Sequence, residues 1–264
     1  MRATIDNGKI QKCEIEYSKS FSESVEMANF VRYRDALLKD MYYHNFTLIK
    51  DSDSDDKLHK LIEDEISLRK AEGEHFCNIV SFVPISDSLL GRFNKFEIKP
   101  EVTLNGFYLF DVNKLSELNV KKDCVVSKVT DRKMIEDTLR IESELYNDDW
   151  GIDFCTRRTN RRKSVCLSSE NLNAYVCYDQ NEAVGVCDLF IHDGAAKIED
   201  LSVSAKKQRQ GYGTVILKSL IGTALNKGAS TIYLVTDEDE TAKEMYLKNG
   251  FAKIGVKTDL FFKL

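Results

Sequence analysis

One stretch constrains this chain more than any other. Ile198-Glu199-Asp200-Leu201-Ser202-Val203-Ser204-Ala205-Lys206-Lys207-Gln208-Arg209-Gln210-Gly211-Tyr212-Gly213-Thr214 reads as a strand, a short polar turn and the start of a helix. Apolar positions 198, 201 and 203 slip the two-residue alternation of a strand by one, as a β-bulge does, and a bulge splays the neighbouring strand and frees backbone groups for a ligand. The following helix carries Ile216, Leu217, Leu220, Ile221, Ala224 and Leu225 on one face, so packing holds its first turn in place. Its first amides lack intrahelical acceptors. Together with the helix dipole they form an anion site, and glycines at 211 and 213 let a phosphate approach without meeting a side-chain carbon, so a pyrophosphate fits. A dinucleotide fingerprint needs a third glycine where Ile216 stands, and a P-loop needs Gly-Lys-Ser/Thr, which is absent.

Around this segment the C-terminal half predicts a regular succession. A strand at 124–129 leads into a helix over 131–146, whose Met134, Ile135, Leu139, Ile141 and Leu145 keep helical spacing. A hairpin pairs 173–178 with 183–191 across Asp179-Gln180-Asn181-Glu182, followed by a strand at 197–204 and a helix at 211–227. A strand at 231–235, a short helix at 241–248 and closing strands after Gly250 complete a curved mixed sheet with helices on both faces. The N-terminal half predicts helices over 34–44 and 56–72, a strand at 76–83, and two short strands at 102–104 and 107–110 bounded by Pro100 and Gly106. It contains no glycine-rich phosphate loop. With 264 residues, two modest domains are expected, 1–120 and 121–264, the second starting after the polar segment 116–123.

The bulged strand and the turn Gln208-x-x-Gly211-x-Gly213 resemble the GNAT family of acyl-CoA-dependent N-acetyltransferases, whose signature is Q/R-x-x-G-x-G/A. The stretch from Asp239 through Thr241, Ala242, Met245 and Tyr246 to Gly250-Phe251 resembles the family's later motif, a short helix with a tyrosine and then Gly-Phe entering a strand. The resemblance spans roughly 124–264. It implies a GNAT-like α/β fold in the C-terminal domain, beside a smaller mixed α/β N-terminal domain, and acetyl-CoA as co-substrate. It implies that Leu201, Ser202 and Val203 line the pantetheine arm, with the Val203 amide as oxyanion donor. Gln208, Arg209, Gln210, Gly211, Tyr212, Gly213 and Thr214 would hold the pyrophosphate, and Asp239 and Ala242 complete the cofactor-binding set.

Tyr246 matches the family's general acid: a phenol near 10 protonates a departing thiolate near 8.5 at a cost of about 2 kcal/mol. Keeping a lysine-like amine neutral at pH 7 costs about 4.6 kcal/mol, so a base or a desolvating pocket is expected, with Glu199 the candidate and Asp200 the substitute. Asp239 stands where the family often has asparagine, and Met245 where an aromatic is common. The implied function is acetyl transfer to a primary amine, of a small molecule or a protein, by direct attack in a ternary complex. A non-catalytic acyl-CoA-binding regulatory or interaction module is the alternative.

Other features have blander readings. Lys plus Arg number 38 against 43 Asp plus Glu, an acidic balance that argues against nucleic acid or an anionic membrane as partner. No apolar run approaches bilayer length and no secretory segment opens the chain. Seven cysteines at 13, 77, 124, 155, 166, 177 and 187, without a C-x-x-C pair, suit buried thiols in a reducing cytoplasm. The run Arg157-Arg158-Thr159-Asn160-Arg161-Arg162-Lys163 is expected to be a solvated loop rather than a grip for phosphate. Asp51 to Asp56 lacks the glycine and glutamate of a calcium loop and suits a helix N-terminus, and His44, His59, His75 and His192 lack metal-ligand spacing, so no metal is expected. Asp148, Asp149 and Trp150 lie where acceptor loops occur in the family. Met41 to Phe46 faintly echoes the tyrosine motif, which raises the expectation of a degenerate N-terminal copy.

Overall fold

In a computed structural model describing residues 8–93, 99–120 and 124–264, eleven strands form a single sheet. The N-terminal half contributes α1 (Gly8–Lys19), β1 (Glu23–Glu26), β2 (Phe30–Arg34), β3 (Phe46–Ile49), α2 (Asp55–Ala71), β4 (Phe76–Ser81), α3 (Asp87–Phe93) and β5 (Glu101–Phe110). The C-terminal half contributes β6 (Cys124–Lys128), α4 (Arg132–Trp150), α5 (Ile152–Ser168), β7 (Leu172–Asp179), β8 (Glu182–His192), β9 (Ala195–Val203), α6 (Tyr212–Asn226), β10 (Thr231–Asp237), α7 (Ala242–Lys248) and β11 (Phe251–Lys263). The strands lie side by side as β1-β2-β3-β4-β11-β5-β10-β9-β8-β7-β6. The expected boundary near 121 falls at 121–123, outside the described residues. On its N-terminal side, β5 is inserted between β10 and β11, so the sheet runs unbroken through both halves.

The two halves share one connectivity. β8 and β9 are antiparallel, and α6 carries the chain over to β10, parallel to β9; β2 and β3 are antiparallel, and α2 carries the chain to β4, parallel to β3. One face of the sheet is covered by α1, α4 and α5, through Ile10, Cys13, Met134, Ile141 and Val165. The opposite face is covered by α6 and Tyr246 of α7 beneath the C-terminal strands, and by α2 and α3 beneath β3, β4 and β11. Six of the seven cysteines are buried and all are free thiols.

Local signals place most elements well. Gln180 and Asn181 both have positive φ, 51° and 68°, the turn that matches strand twist in a two-residue hairpin between β7 and β8. Three expectations fail. The segment after Arg34 is not a helix, because polar side chains capture the backbone groups a helix would use: Asn45 accepts from the Asp35 amide and donates to the carbonyls of Leu38 and Met41, while Asp35 accepts from the Leu37 amide. The runs 102–104 and 107–110 form one strand through Gly106, since a Cβ there would lie 2.0 Å from the Glu238 carboxylate that crosses it. The basic run is the middle of α5, not a loop, and Asp148 to Trp150 form the last turn of α4, ended by Gly151 with φ 76°.

Spacing of four turns Arg158 and Arg162 of α5 inward on one face, where burial is offset by carboxylates from three elements. Arg162, 2% exposed, bridges Glu142 of α4 at 2.6 Å, Asp188 of β8 at 2.6 Å and Asp200 of β9 at 2.8 Å. Arg158 reaches Asp200 at 2.7 Å, and Lys163 reaches Asp188 at 3.4 Å. Removing one member leaves buried charge without its counterpart. Arg162→Leu is therefore expected to cost about 3–5 kcal/mol of folding stability in urea unfolding; a loss under about 1 kcal/mol would contradict the assignment.

Candidate functional site

The ladder between β9 and β10 lasts four pairs, from Thr231↔Ala195 to Leu234↔Ile198, although β9 continues to Val203 and β10 to Asp237. The cause is the bulge. Opposite β8, the register moves from Asp188↔Glu199 to Val186↔Ser202, so Asp200 and Leu201 face the single residue Cys187, and Asp200 takes a left-handed φ of 53°. Beyond the bulge the Ser204 amide donates to the Val184 carbonyl at 3.0 Å, which makes Gly185↔Val203 a pair that does not exchange hydrogen bonds. The Val203 amide and carbonyl consequently face the gap left by β10. The carbonyl accepts from Gln208 Nε2 at 3.2 Å.

After β9 the chain winds through a short 3-10 turn, Ala205–Lys207, into α6. Arg209 has φ 59° and Gly211 has φ 90°, so successive amides curl to one side. Gly211 caps α6 without a side-chain bond, and a Cβ there would meet nothing within 4 Å, which leaves the approach to the first amides open. Gln210 folds back onto the Lys206 carbonyl at 2.8 Å, bracing the turn. The Tyr212 side chain is buried and its hydroxyl donates to Asp179, so only its amide faces the turn's ligand side. Gly213 allows close packing on α7: a Cβ would lie 2.6 Å from Met245 Sδ. Thr214 follows, half-buried in the first turn. The donor set of this turn, backbone amides at a helix start with no acidic side chain among residues 204–214, fits a pyrophosphate.

A cavity of about 530 Å³ opens beside the gap. Tyr246, Glu199, Leu201 and Ala242 line it together, joining two sequence motifs that are far apart along the chain. Ser202 does not face it; its hydroxyl bonds that of Tyr146 at 3.0 Å. Residues 208–214 lie on the turn outside the cavity, and Asp239 is exposed between β10 and α7, its amide donating to Asp237 at 2.8 Å. Burial chiefly, with Cys187 and Glu199 adding to it, holds the Tyr246 phenol above its ordinary value, so it carries its proton at neutral pH. Glu199 is raised by burial and by Asp200 and Glu14, against the pull of Lys197 at 2.8 Å. Asp200 is excluded as a free base: burial pushes it up, but Arg158 and Arg162 outweigh that and hold it well below the usual carboxylate range.

Much of the cavity wall comes from further residues, of which Glu14, Tyr17, Lys197, Lys257 and Asp259 were not singled out by the sequence. Glu14 of α1 pairs with Lys197 at 2.8 Å and Lys257 of β11 at 3.1 Å, and accepts from the Tyr233 hydroxyl at 2.9 Å. Burial raises its carboxyl, yet the two lysines outweigh that and hold it at about 2. Tyr17, Tyr42, Tyr43 and His44 come from the N-terminal half, and Trp150, stacked on Tyr146 at 4.4 Å, from the end of α4. His44 is structural, its Nδ1 bonded to Asp35 at 2.9 Å. Asp259 of β11 is 4% exposed and also lines the cavity. Its Oδ2 accepts from Asn105 at 3.0 Å, whereas Oδ1 has no partner among the described residues. The available signal was the alternation Lys197-x-Glu199 and Lys257-x-Asp259, charges on the inward face of otherwise apolar strands.

Residues 134–251 match the sequence profile described as "Acetyltransferase (GNAT) family". The chain is 25% identical over 258 residues to an "Uncharacterized N-acetyltransferase CgeE" of Bacillus subtilis (strain 168), covering 93% of this chain and 94% of that one. Two solved structures share the fold over nearly the whole length. A functionally unknown conserved protein of Staphylococcus epidermidis ATCC 12228 has TM-score 0.76 and 20% identity, covering 92% of this chain and 94% of that one. A GCN5-related N-acetyltransferase of Kribbella flavida has TM-score 0.68 and 14% identity, covering 96% and 94%. Residues 134–251 thus carry the sequence pattern of the GNAT acetyltransferase family. No helix of the described residues is long and apolar enough to cross a membrane, and no cluster of three or more His, Cys, Asp or Glu among them is placed to hold a metal.

Burial raises the Asp259 carboxyl to about 6; Lys257 and Lys197 pull it down, while Glu14 and Asp237 push it up. In the unfolded chain an aspartate titrates near 3.9. As pH rises between those values the unfolded chain loses the proton first, so native stability falls, by about 3 kcal/mol once pH exceeds the folded value. Asp259→Asn is therefore expected to be more stable than wild type by about that margin near pH 8, with the two melting curves converging below about pH 4. Equal stability at the higher pH would contradict a buried, ionised Asp259.

Proposed function

We propose that this chain transfers an acetyl group from acetyl-CoA to a primary amine by direct attack within a ternary complex. The observation that carries this is the gap itself: a bulge-freed edge of β9 that presents the Val203 amide beside a cavity lined by Tyr246 and Glu199. The pantetheine arm pairs with the exposed backbone of residues 201–203. Amides from Arg209 to Thr214 hold the pyrophosphate, with Asp239 and Ala242 at the start of α7 flanking the thiol end. The Val203 amide polarises the thioester carbonyl, placed to stabilise charge as it develops on that oxygen. Glu199 takes the amine proton, directly or through water, and Tyr246 gives its proton to the departing thiolate. Holding both reactants in one cavity supplies several kcal/mol of the rate enhancement without a covalent enzyme intermediate.

The N-terminal half is read as a degenerate copy that shapes the acceptor side. Its equivalent of α6 is α2, and there the N-terminus is closed: Ser54 caps the Lys57 amide at 3.3 Å, and Asp55 and Asp56 occupy the first turn. An anion is repelled where α6 invites one, so a single acetyl-CoA per chain is expected in calorimetry.

Two substitutions test the reading. Gly211→Asp puts a carboxylate against the diphosphate, where like charges about 4 Å apart repel by roughly 4 kcal/mol at a surface dielectric, and is expected to weaken acetyl-CoA binding by about 100-fold or more with circular dichroism unchanged. Undiminished affinity would remove the phosphate turn from the mechanism. Tyr246→Phe is expected to lower kcat by about 100-fold or more while acetyl-CoA binding persists, followed as free thiol with a panel of amines. Acetyl-CoA binding without thiol release for any amine would identify a non-catalytic acyl-CoA module instead.

A further inference from the structure

Asp259 does not belong to the acetyl-transfer apparatus, and nothing in the resting protein accounts for it. It sits on β11, separated from Glu199 on β9 by β10 and β5. Three inter-strand steps of about 4.8 Å, with a further offset along the strands because Glu199 is level with Gly255, put the two residues more than roughly 14 Å apart on the sheet. Lys257, two positions before Asp259 and therefore on the same face, turns its ammonium to Glu14, so the cation nearest in sequence is already committed. Lys197 is committed to Glu14 and Glu199, and Arg158 and Arg162 to Asp200 and Glu142. Six carboxylates line the cavity against these four cations: Glu14, Glu199, Asp200, Asp237, Glu240 and Asp259. Asp259 alone is at once nine-tenths buried, held by a neutral amide on one oxygen, and without a partner for the other among the described residues. Val80, paired with Asp259 across the β4–β11 ladder, and Phe82 and Val235 add apolar surface to the same cavity.

We propose that Asp259 is the seat for a positively charged group of the acceptor, so that the preferred acceptor is an elongated amine with an apolar body and a second cation remote from the nitrogen that is acetylated. The inference rests on the acetyl-transfer reading for the reacting end, and on the buried, unpartnered carboxylate for the far end. A second ammonium completes the hydrogen bonding of Oδ1 and neutralises the acidic excess of the cavity, which a monoamine leaves in place. Asn105 positions the carboxylate by donating to its other oxygen.

The test is a length series of α,ω-diaminoalkanes, from 1,4-diaminobutane to 1,10-diaminodecane, against alkylamines of matched length, with the full chain and saturating acetyl-CoA. The expected result is a kcat/KM preference for diamines that appears only beyond a threshold length and reaches about tenfold or more. In Asp259→Asn that preference is lost through KM, and Asp259→Glu restores part of it. A readout independent of turnover accompanies this: in the presence of CoA, 1,8-diaminooctane raises the melting temperature of wild type and fails to raise that of Asp259→Asn, whereas octylamine does not distinguish the two. Equal treatment of diamines and monoamines by wild type, or an undiminished diamine preference in Asp259→Asn, overturns the proposal while leaving acetyl transfer standing. If no amine releases thiol, the acetyl-transfer reading fails, and the melting-temperature comparison still decides whether the carboxylate binds a cation.

Discussion

The site depends on how Asp200 is held. A non-glycine residue at positive φ in the middle of a strand is unfavourable by about 1 kcal/mol or more, and it persists only when its surroundings over-determine it. Here two guanidiniums from α5 grip its carboxylate, and the same Arg162 is tied to Glu142 and Asp188, so α4, α5, β8 and β9 converge on one buried charge cluster. Such a cluster adds little net stability over apolar packing of the same volume. It supplies geometry, because it holds the bulge open, and the bulge parts β9 from β10 and turns the Val203 amide outward. α5, whose hydrophobic stripe is thin, packs against the sheet largely through these charges.

A second charged hub ties the halves together. Glu14 on α1 holds Lys197 of β9 and Lys257 of β11, two strands on either side of the β10–β5 pair. Together with the insertion of β5 between β10 and β11, this makes the cavity a joint product: Glu199 and Tyr246, the proposed reacting groups, come from the C-terminal half, and Tyr17, Tyr42, Tyr43 and Asn105 from the N-terminal half. The N-terminal wall of the cavity is thereby coupled to the strand that bears Glu199.

The parts of this arrangement that were legible in the sequence are those specified locally. The bulge announced itself in the slipped alternation of Ile198, Leu201 and Val203, the helix start in Gly211 and Gly213, and the hairpin in Gln180-Asn181. What local pattern misstates is set by distant partners. Arg158 and Arg162 look like solvated charges until Glu142, Asp188 and Asp200 arrive from elsewhere in the chain, and the segment after Arg34 looks helical until Asp35 and Asn45 divert its backbone groups. Asp259 lies in a strand indistinguishable by composition from a solvent-facing edge, since its burial comes from β4 and β5 on either side.

That placement of β11 also bears on how the molecule assembles. Thr258 pairs with both Ser81 and Leu104, so the strand made last among those described is the one that joins β4 to β5. On a ribosome, β1 to β4 would emerge and wait with an unfilled edge until nearly all of the remaining chain had been translated. Contacts this remote in sequence make for slow closure and a long interval of exposed, pairing-competent backbone. A late closing step, rather than instability of the finished protein, is the cost that this topology imposes.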